Sequence, residues 1–215
     1  MKARSALIGL VLGLLSACTR PLTEGEAQFA QNIFGDSLDP SQVRVAQGFG
    51  LTPPPKPNPR PAVTKKREPR PGVCDRDQPG LEPGPPPAIA VYNRIHLMRP
   101  FYRADTAPGW PDSVMIPQTL IMAHELVHVW QWQNRAITGY RPIRAALESV
   151  FSSDPYFYVP SDGSYLDYGF EQQGSLVEDY LCFAIFDPDA PKRSDLRAIL
   201  SLVFPVDRID AALAP

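Results

Sequence analysis

One stretch governs what this chain can fold into. Residues 118–135 contain no glycine or proline, are largely apolar, and carry His124-Glu125-Leu126-Val127-His128 near their centre. Pro117 stands where a first helical turn tolerates its ring, and Gly139 lies beyond the end, so the spacing predicts one long helix. The residues around the two histidines are uncharged, which suits a buried helix. At about 3.6 residues per turn, positions four apart stand one above the other. His124 and His128 therefore present two imidazoles side by side, spaced to hold one metal ion. Glu125 is rotated about 100° from His124, beside such an ion, where it can accept a proton. The competing reading is a buried helix with two hydrogen-bonded packing histidines. It must bury two imidazoles and a carboxylate in apolar surroundings without an ion, which is costly.

A zinc site of this kind takes three protein ligands and keeps one position open. No histidine follows His128, so a carboxylate is needed; His96, upstream, is the weaker candidate. A further long helix is expected over 169–186, and it offers Glu171 and Glu178. They are seven residues apart and share a face, but only one should reach the ion.

Four segments flank or contain these helices. Residues 1–17 read as a leader: Lys2 and Arg4 precede a short apolar run, and Ser16-Ala17-Cys18 resembles a bacterial lipobox. Cys18 would then be the acylated first residue of the mature chain; a plain secretory signal is the other reading. Thr19 leans toward the outer membrane, so the expected location is the bacterial cell envelope, lipid-anchored and facing the periplasm. Residues 18–50 look like an N-terminal helical part of the domain. Thr23 and Glu26 form a capping-box pattern, a helix runs to Phe34, Gly35 stops it, and 42–46 suit a short strand. Residues 51–87 hold half of the 26 prolines with several lysines and arginines. They read as a basic linker or insertion, either a solvated spacer or a segment drawn to anionic head groups.

Residues 88–215 are expected to form the catalytic domain. Alternation over 88–98 predicts one strand, with Ile89, Val91, Ile95 and Leu97 on one side. A short helix is expected over 142–151, a loop with a strand at 156–159, and a last helix over 195–204, capped by Ser194 and ended by Pro205. Cys74 and Cys182 are either a disulfide pair in an oxidising compartment or two separate thiols. The formal net charge of −2 gives no basic field for nucleic acid.

The run His124 to Gln131, with Glu171-Gln172-Gln173 and Glu178-Asp179-Tyr180, resembles the gluzincin branch of zinc metallopeptidases. It is similar to small metallopeptidase domains related to type VI secretion spikes and injection toxins. Asn32 to Asp39, with Val43-Arg44-Val45, is similar to the opening of those domains. The resemblance implies an α+β zincin-like fold, with Glu171 as third ligand and Glu178 as its alternative. Gluzincins often carry an aspartate four residues after that glutamate, to orient a histidine. Here the position is Ser175, which leaves Asp179, one turn on, to do so or the support weaker. Tyr165, Tyr168 and Tyr180 are candidate oxyanion donors, against a packing role for each. Trp130 and Trp132 read as core.

The function implied is a membrane-anchored zinc (Zn2+) peptidase with Glu125 as general base, acting on peptides or proteins. The alternative is a zincin-fold lipoprotein of weak or no activity that serves as an envelope or secretion-system adaptor. Autoprocessing within the proline-rich stretch is a third possibility.

Overall fold

The computed structural model describes residues 18–55, 65–66, 68–75, 86–161 and 163–214. The leader expected over 1–17 and much of the proline-rich stretch lie outside them. Strands β1 (Thr19–Pro21), β2 (Arg44–Gln47), β4 (Ala88–Val91) and β5 (Arg94–Leu97) form a mixed sheet in the order β1-β2-β5-β4. The β2–β5 pair is parallel and the other two pairs are antiparallel. A separate short pairing joins β3 (Lys65–Lys66) to β6 (Ser113–Val114). The helices among the described residues are α1 (Glu24–Phe34), α2 (Gln118–Gln133), α3 (Arg135–Thr138), α4 (Pro142–Phe151), α5 (Phe170–Phe186), α6 (Pro191–Leu200) and α7 (Val206–Leu213). The architecture is α+β, as the sequence implied.

The capping box forms at the start of α1. Thr23 Oγ1 accepts from the Glu26 N–H (3.1 Å), and the Glu26 carboxylate accepts from the Thr23 N–H (2.9 Å). Gly35, at φ 56°, takes the conformation that ends the helix at little steric cost. Glu26 also receives Arg20 through two hydrogen bonds (2.6 and 2.8 Å) and both the N–H and the hydroxyl of Thr106 (2.9 and 2.7 Å). One fully buried carboxylate thereby ties β1, α1 and the loop before α2 together.

The single strand expected over 88–98 is a hairpin, turning at Tyr92 and Asn93. Val91 pairs with Arg94 and Ala90 with Ile95, so the inward face changes parity across the turn. Ala88 and Ala90 lie on the same side as Ile95 and Leu97, while Ile89 and Val91 face the other way. An alternating pattern reads straight through a two-residue turn, and Tyr-Asn lacks the glycine that would announce one. Tyr92 adopts φ 58° without it.

The α2 helix is buried over nearly its whole length and packs along α5 and against β4. Trp130, 1% exposed, sits in the core against Phe204 (ring centroids 4.8 Å) and donates to Ser37 Oγ (3.0 Å). Trp132 is at the edge of the core instead.

Three further expectations need correction. No strand forms at 156–159, because Asp154 Oδ1 accepts the N–H groups of Tyr156 and Phe157 and holds them in a turn. The last helix expected over 195–204 begins earlier, with Pro191 in its first turn, and stops at Leu200; Pro205 precedes another helix instead of closing the fold. Residues 68–75 are strapped to the body and are not a free spacer. The Arg70 N–H donates to the Phe186 carbonyl (2.6 Å), and Cys74 is joined to Cys182 of α5 by a disulfide. No helix of the described residues is long and apolar enough to cross a membrane.

Candidate metal centre

Two helices supply the centre. On α2, His124 and His128 lie one turn apart, edge to face with ring centroids 5.0 Å apart, both almost fully buried. On α5, Glu171 lies in the first turn, where the helix dipole favours a carboxylate. Its Oε2 is 3.1 Å from His124 Nε2 and 3.2 Å from His128 Nε2. One donor atom from each residue lies within 4.8 Å of the other two, a spacing that suits a shared ion. The close approach of α5 to His124 depends on Gly174: a Cβ there would stand 2.6 Å from His124 Cε1 and 2.7 Å from Nε2.

Each ligand is held from behind. Gln173 Nε2 donates to the Tyr168 carbonyl (2.8 Å), so its Oε1 is left to accept. Gln131 Nε2 donates to that oxygen (3.0 Å) and to the Phe170 carbonyl (3.1 Å), leaving Gln131 Oε1 to accept from His128 Nδ1 (2.9 Å). This relay fixes the His128 tautomer and frees the Nε2 lone pair for an ion. Glu178 Oε2 lies 3.4 Å from His124 Nδ1, so the two glutamates of α5 grip opposite nitrogens of one imidazole. Ser149 Oγ of α4 donates to Glu171 Oε1 (3.1 Å).

Glu178, the alternative third ligand, thus sits behind His124, while the Glu171 oxygen faces both histidines. Asp179, expected behind the ligands, instead accepts from the Tyr158 hydroxyl (2.7 Å). His96 is bonded through Nδ1 to the Gly48 carbonyl (3.0 Å) and is not part of the cluster. The three tyrosines proposed as donors do not line the cavity. The Tyr165 hydroxyl donates to the Gln173 carbonyl and that of Tyr180 to Asp210, while the Tyr168 oxygen accepts from the Ser161 N–H. Tyr180 is on the far face of α5 from Glu171, so nearness in sequence was misleading. Tyr140 and Tyr156 stand there instead. The Tyr140 ring stacks on His128 at 6.1 Å, and Tyr156 lies 5.8 Å from the His124 ring. Sequence gave no signal for either, since both sit on connections whose course only the fold decides. Gln131 carried one: it is three residues after His128, within reach on a helix.

These residues line a cavity of about 490 Å³, bounded on one side by β4, the edge strand of the sheet. Glu125 faces it, 5% exposed, and its Oε2 has no hydrogen-bond partner among the described residues. Burial pushes the Glu125 carboxyl up to about 7; the nearby Glu171 and Glu178 charges add to this, and the imidazoles oppose it. Burial also works against charge on His124 and Glu171. Mutual attraction wins, raising His124 to about 10 and holding Glu171 well below the usual carboxylate range. A proton between these groups stands where a divalent cation would be held. Two imidazole nitrogens, a carboxylate oxygen and an unpartnered buried carboxylate beside them fit a resident metal ion. Cys18 is half-buried at the start of β1.

No protein-family model matches the chain. It is 27% identical over 184 residues to the type VI secretion system spike protein VgrG2b of Pseudomonas aeruginosa. That match covers 80% of this chain and 14% of VgrG2b, so the chain spans only a small part of that protein's length. Among solved structures it is similar to the effector domain of Pseudomonas aeruginosa VgrG2b, with a TM-score of 0.50 and 22% identity, over 93% of this chain and 95% of that domain. The chain is thus similar in sequence to part of that spike protein and shares the fold of its effector domain.

Proposed function

We propose that the chain is a zinc-dependent peptidase, anchored in a bacterial envelope through Cys18, that hydrolyses peptide bonds with Glu125 as general base. The observation that carries this reading is the unpartnered, buried Glu125 carboxylate beside three convergent donor atoms. A set of two histidine nitrogens and one carboxylate oxygen matches catalytic zinc sites, which leave a fourth position open. Zinc, when bound, would supply Lewis acidity that lowers the pKa of a water toward neutrality.

The chain's own residues do the rest. Glu125, buried beside the donor atoms with one oxygen unpartnered, accepts a proton and returns it to the leaving amine. Burial keeps the phenols of Tyr140 and Tyr156 protonated, so either can donate to an oxygen that gains charge in the cavity. The outer edge of β4, which pairs with no further strand among the described residues, offers main-chain groups to an extended peptide.

The test uses the purified full chain loaded with zinc. Glu125→Gln is expected to keep the ion and to slow hydrolysis of a peptide library by about 10²- to 10⁴-fold. Hydrolysis that survives the substitution removes Glu125 from the role. Bound zinc with no turnover of any peptide by the unaltered chain favours the adaptor reading. That reading leaned on Ser175, whose Oγ is buried without a partner; the approach of Glu178 to His124 supplies the support Ser175 does not. The anchor is tested separately: Cys18→Ser should abolish fatty-acid labelling and release the protein from membranes.

A further inference from the structure

The cavity does not end at the metal centre. Tyr140 and Pro142 line it and also line a groove of about 1140 Å³, so the two are neighbours. The groove begins where β4 ends, at Tyr92, and its walls come from the end of α2, from α3 and from the start of α4.

Two independent features mark it. The first is charge. Arg135, Arg141 and Arg144 are exposed on its rim, and no aspartate or glutamate lines it. Arg135 and Arg144 donate only to neutral carbonyls, of Trp132 and Gly139 (both 3.2 Å), and no ion pair among the described residues involves any of the three. Three guanidiniums together on a chain of net charge −2 are a local reversal of sign. The second is backbone. Tyr92 is the only non-glycine residue at positive φ among the described residues, in a turn position that glycine or asparagine occupies more easily. The residue is 52% exposed, its ring meets Trp132 edge-on at 4.6 Å, and the Arg135 guanidinium lies 4.4 Å over the Trp132 ring. An aromatic kept where the backbone disfavours it points to a use for the ring.

We propose that this groove is a subsite for a carboxylate-bearing segment of the peptide substrate. A peptide laid along β4 leaves the cavity at Val91 and passes Tyr92 into the groove. There the arginine forks receive a carboxylate and the Tyr92–Trp132 ring pair offers an aromatic wall on one side of the chain. The carboxylate is that of an aspartate or glutamate side chain or of the peptide's C-terminus. The assignment rests on the peptidase reading for the peptide's course, and binding is therefore measured apart from turnover.

The probe is a set of three fluorescein-labelled peptides of one length. One is neutral and amidated, one carries aspartate and glutamate and is amidated, and one is neutral with a free C-terminal carboxylate. Anisotropy is read on the zinc-loaded full chain bearing Glu125→Gln. A carboxylate peptide is expected to bind about tenfold more tightly than the neutral amide at low salt, and the advantage should fade by about 0.5 M salt. Adding Arg141→Glu with Arg144→Glu should abolish the advantage. Adding Tyr92→Gly instead relaxes the turn, so thermal stability should hold or rise while binding weakens by about threefold or more. The better of the two carboxylate peptides identifies the source. Equal binding of all three peptides, no binding of any, or an advantage that outlasts the arginine reversal overturns the subsite. Arginine-dependent binding by a chain that, with Glu125 intact, turns over none of the peptides keeps the subsite and removes the peptidase.

Discussion

Two buried carboxylates in this molecule are treated in opposite ways. Glu26, 0% exposed, is satisfied from every side by Arg20, the Thr23 N–H and both donors of Thr106. Burial alone would raise its pKa, but these partners more than offset that and lower it. Glu125 is 5% exposed, one of its oxygens has no partner, and burial pushes it up to about 7. A buried carboxylate left unpartnered destabilises a fold, so its retention calls for another explanation. The polar groups around the centre are turned to its ligands: Gln131, backed by Gln173, holds His128, Ser149 holds Glu171, and Glu178 holds His124. One carboxylate fastens the structure, and the other is kept available for chemistry.

The contrast can be broken by experiment, and the largest effect belongs to Glu26. Glu26→Ala strands Arg20 and removes the carboxylate half of the α1 capping box, and should cost about 3–5 kcal/mol in urea unfolding. A loss under about 1 kcal/mol would mean that Glu26 is no fastener. Next are the residues that serve the ligands. Gly174→Ala drives a methyl group into His124, and Gln131→Leu removes the His128 acceptor. Each should lower zinc affinity by about 10- to 100-fold in competition with a chelator, although alanine favours the helix. Unchanged affinity would show that the histidines need no such support.

Glu125→Leu should leave the metal-free protein no less stable, or stabilise it by about 1 kcal/mol, since it removes a buried group without a partner. A large destabilisation would make Glu125 a second fastener and end the comparison. The smallest effect is on acid sensitivity. The folded pKa of Glu26 is depressed below its ordinary value of 4.5. Its stabilisation is therefore present above that value and is lost as pH falls through the folded pKa. Urea midpoints from about pH 5 to about pH 3 should fall more steeply for the unaltered chain than for Glu26→Ala. Parallel curves would show that other groups govern acid unfolding.

What the sequence made legible follows from how local each signal is. The His124 and His128 spacing, the Thr23 capping box, and the α4 and α5 helices depend on residues within a turn or two, and all were readable. That Glu171 rather than Glu178 faces both histidines depends on where α5 crosses α2, a matter of packing that Gly174 helps decide. The hairpin at Tyr92 was hidden because alternation continues through a short turn. The cavity tyrosines were missed because Tyr140 and Tyr156 lie in connections, where neither periodicity nor spacing gives direction. The Asp179 expectation failed for a similar reason: an adjacent position on a helix points about 100° away, and it is Glu178 that shares the Glu171 face.

The Cys74–Cys182 bond divides the chain into two kinds of territory. A peptide-bond break anywhere between these cysteines leaves both pieces covalently attached, and only a reducing agent would reveal the nick. A break on the Cys18 side of Cys74 has no such safeguard: the N-terminal piece then stays by non-covalent contacts alone, chiefly those of β1, β2 and α1. If Cys18 carries lipid, the stretch between β2 and Cys74 decides whether a protease can separate the body from its tether.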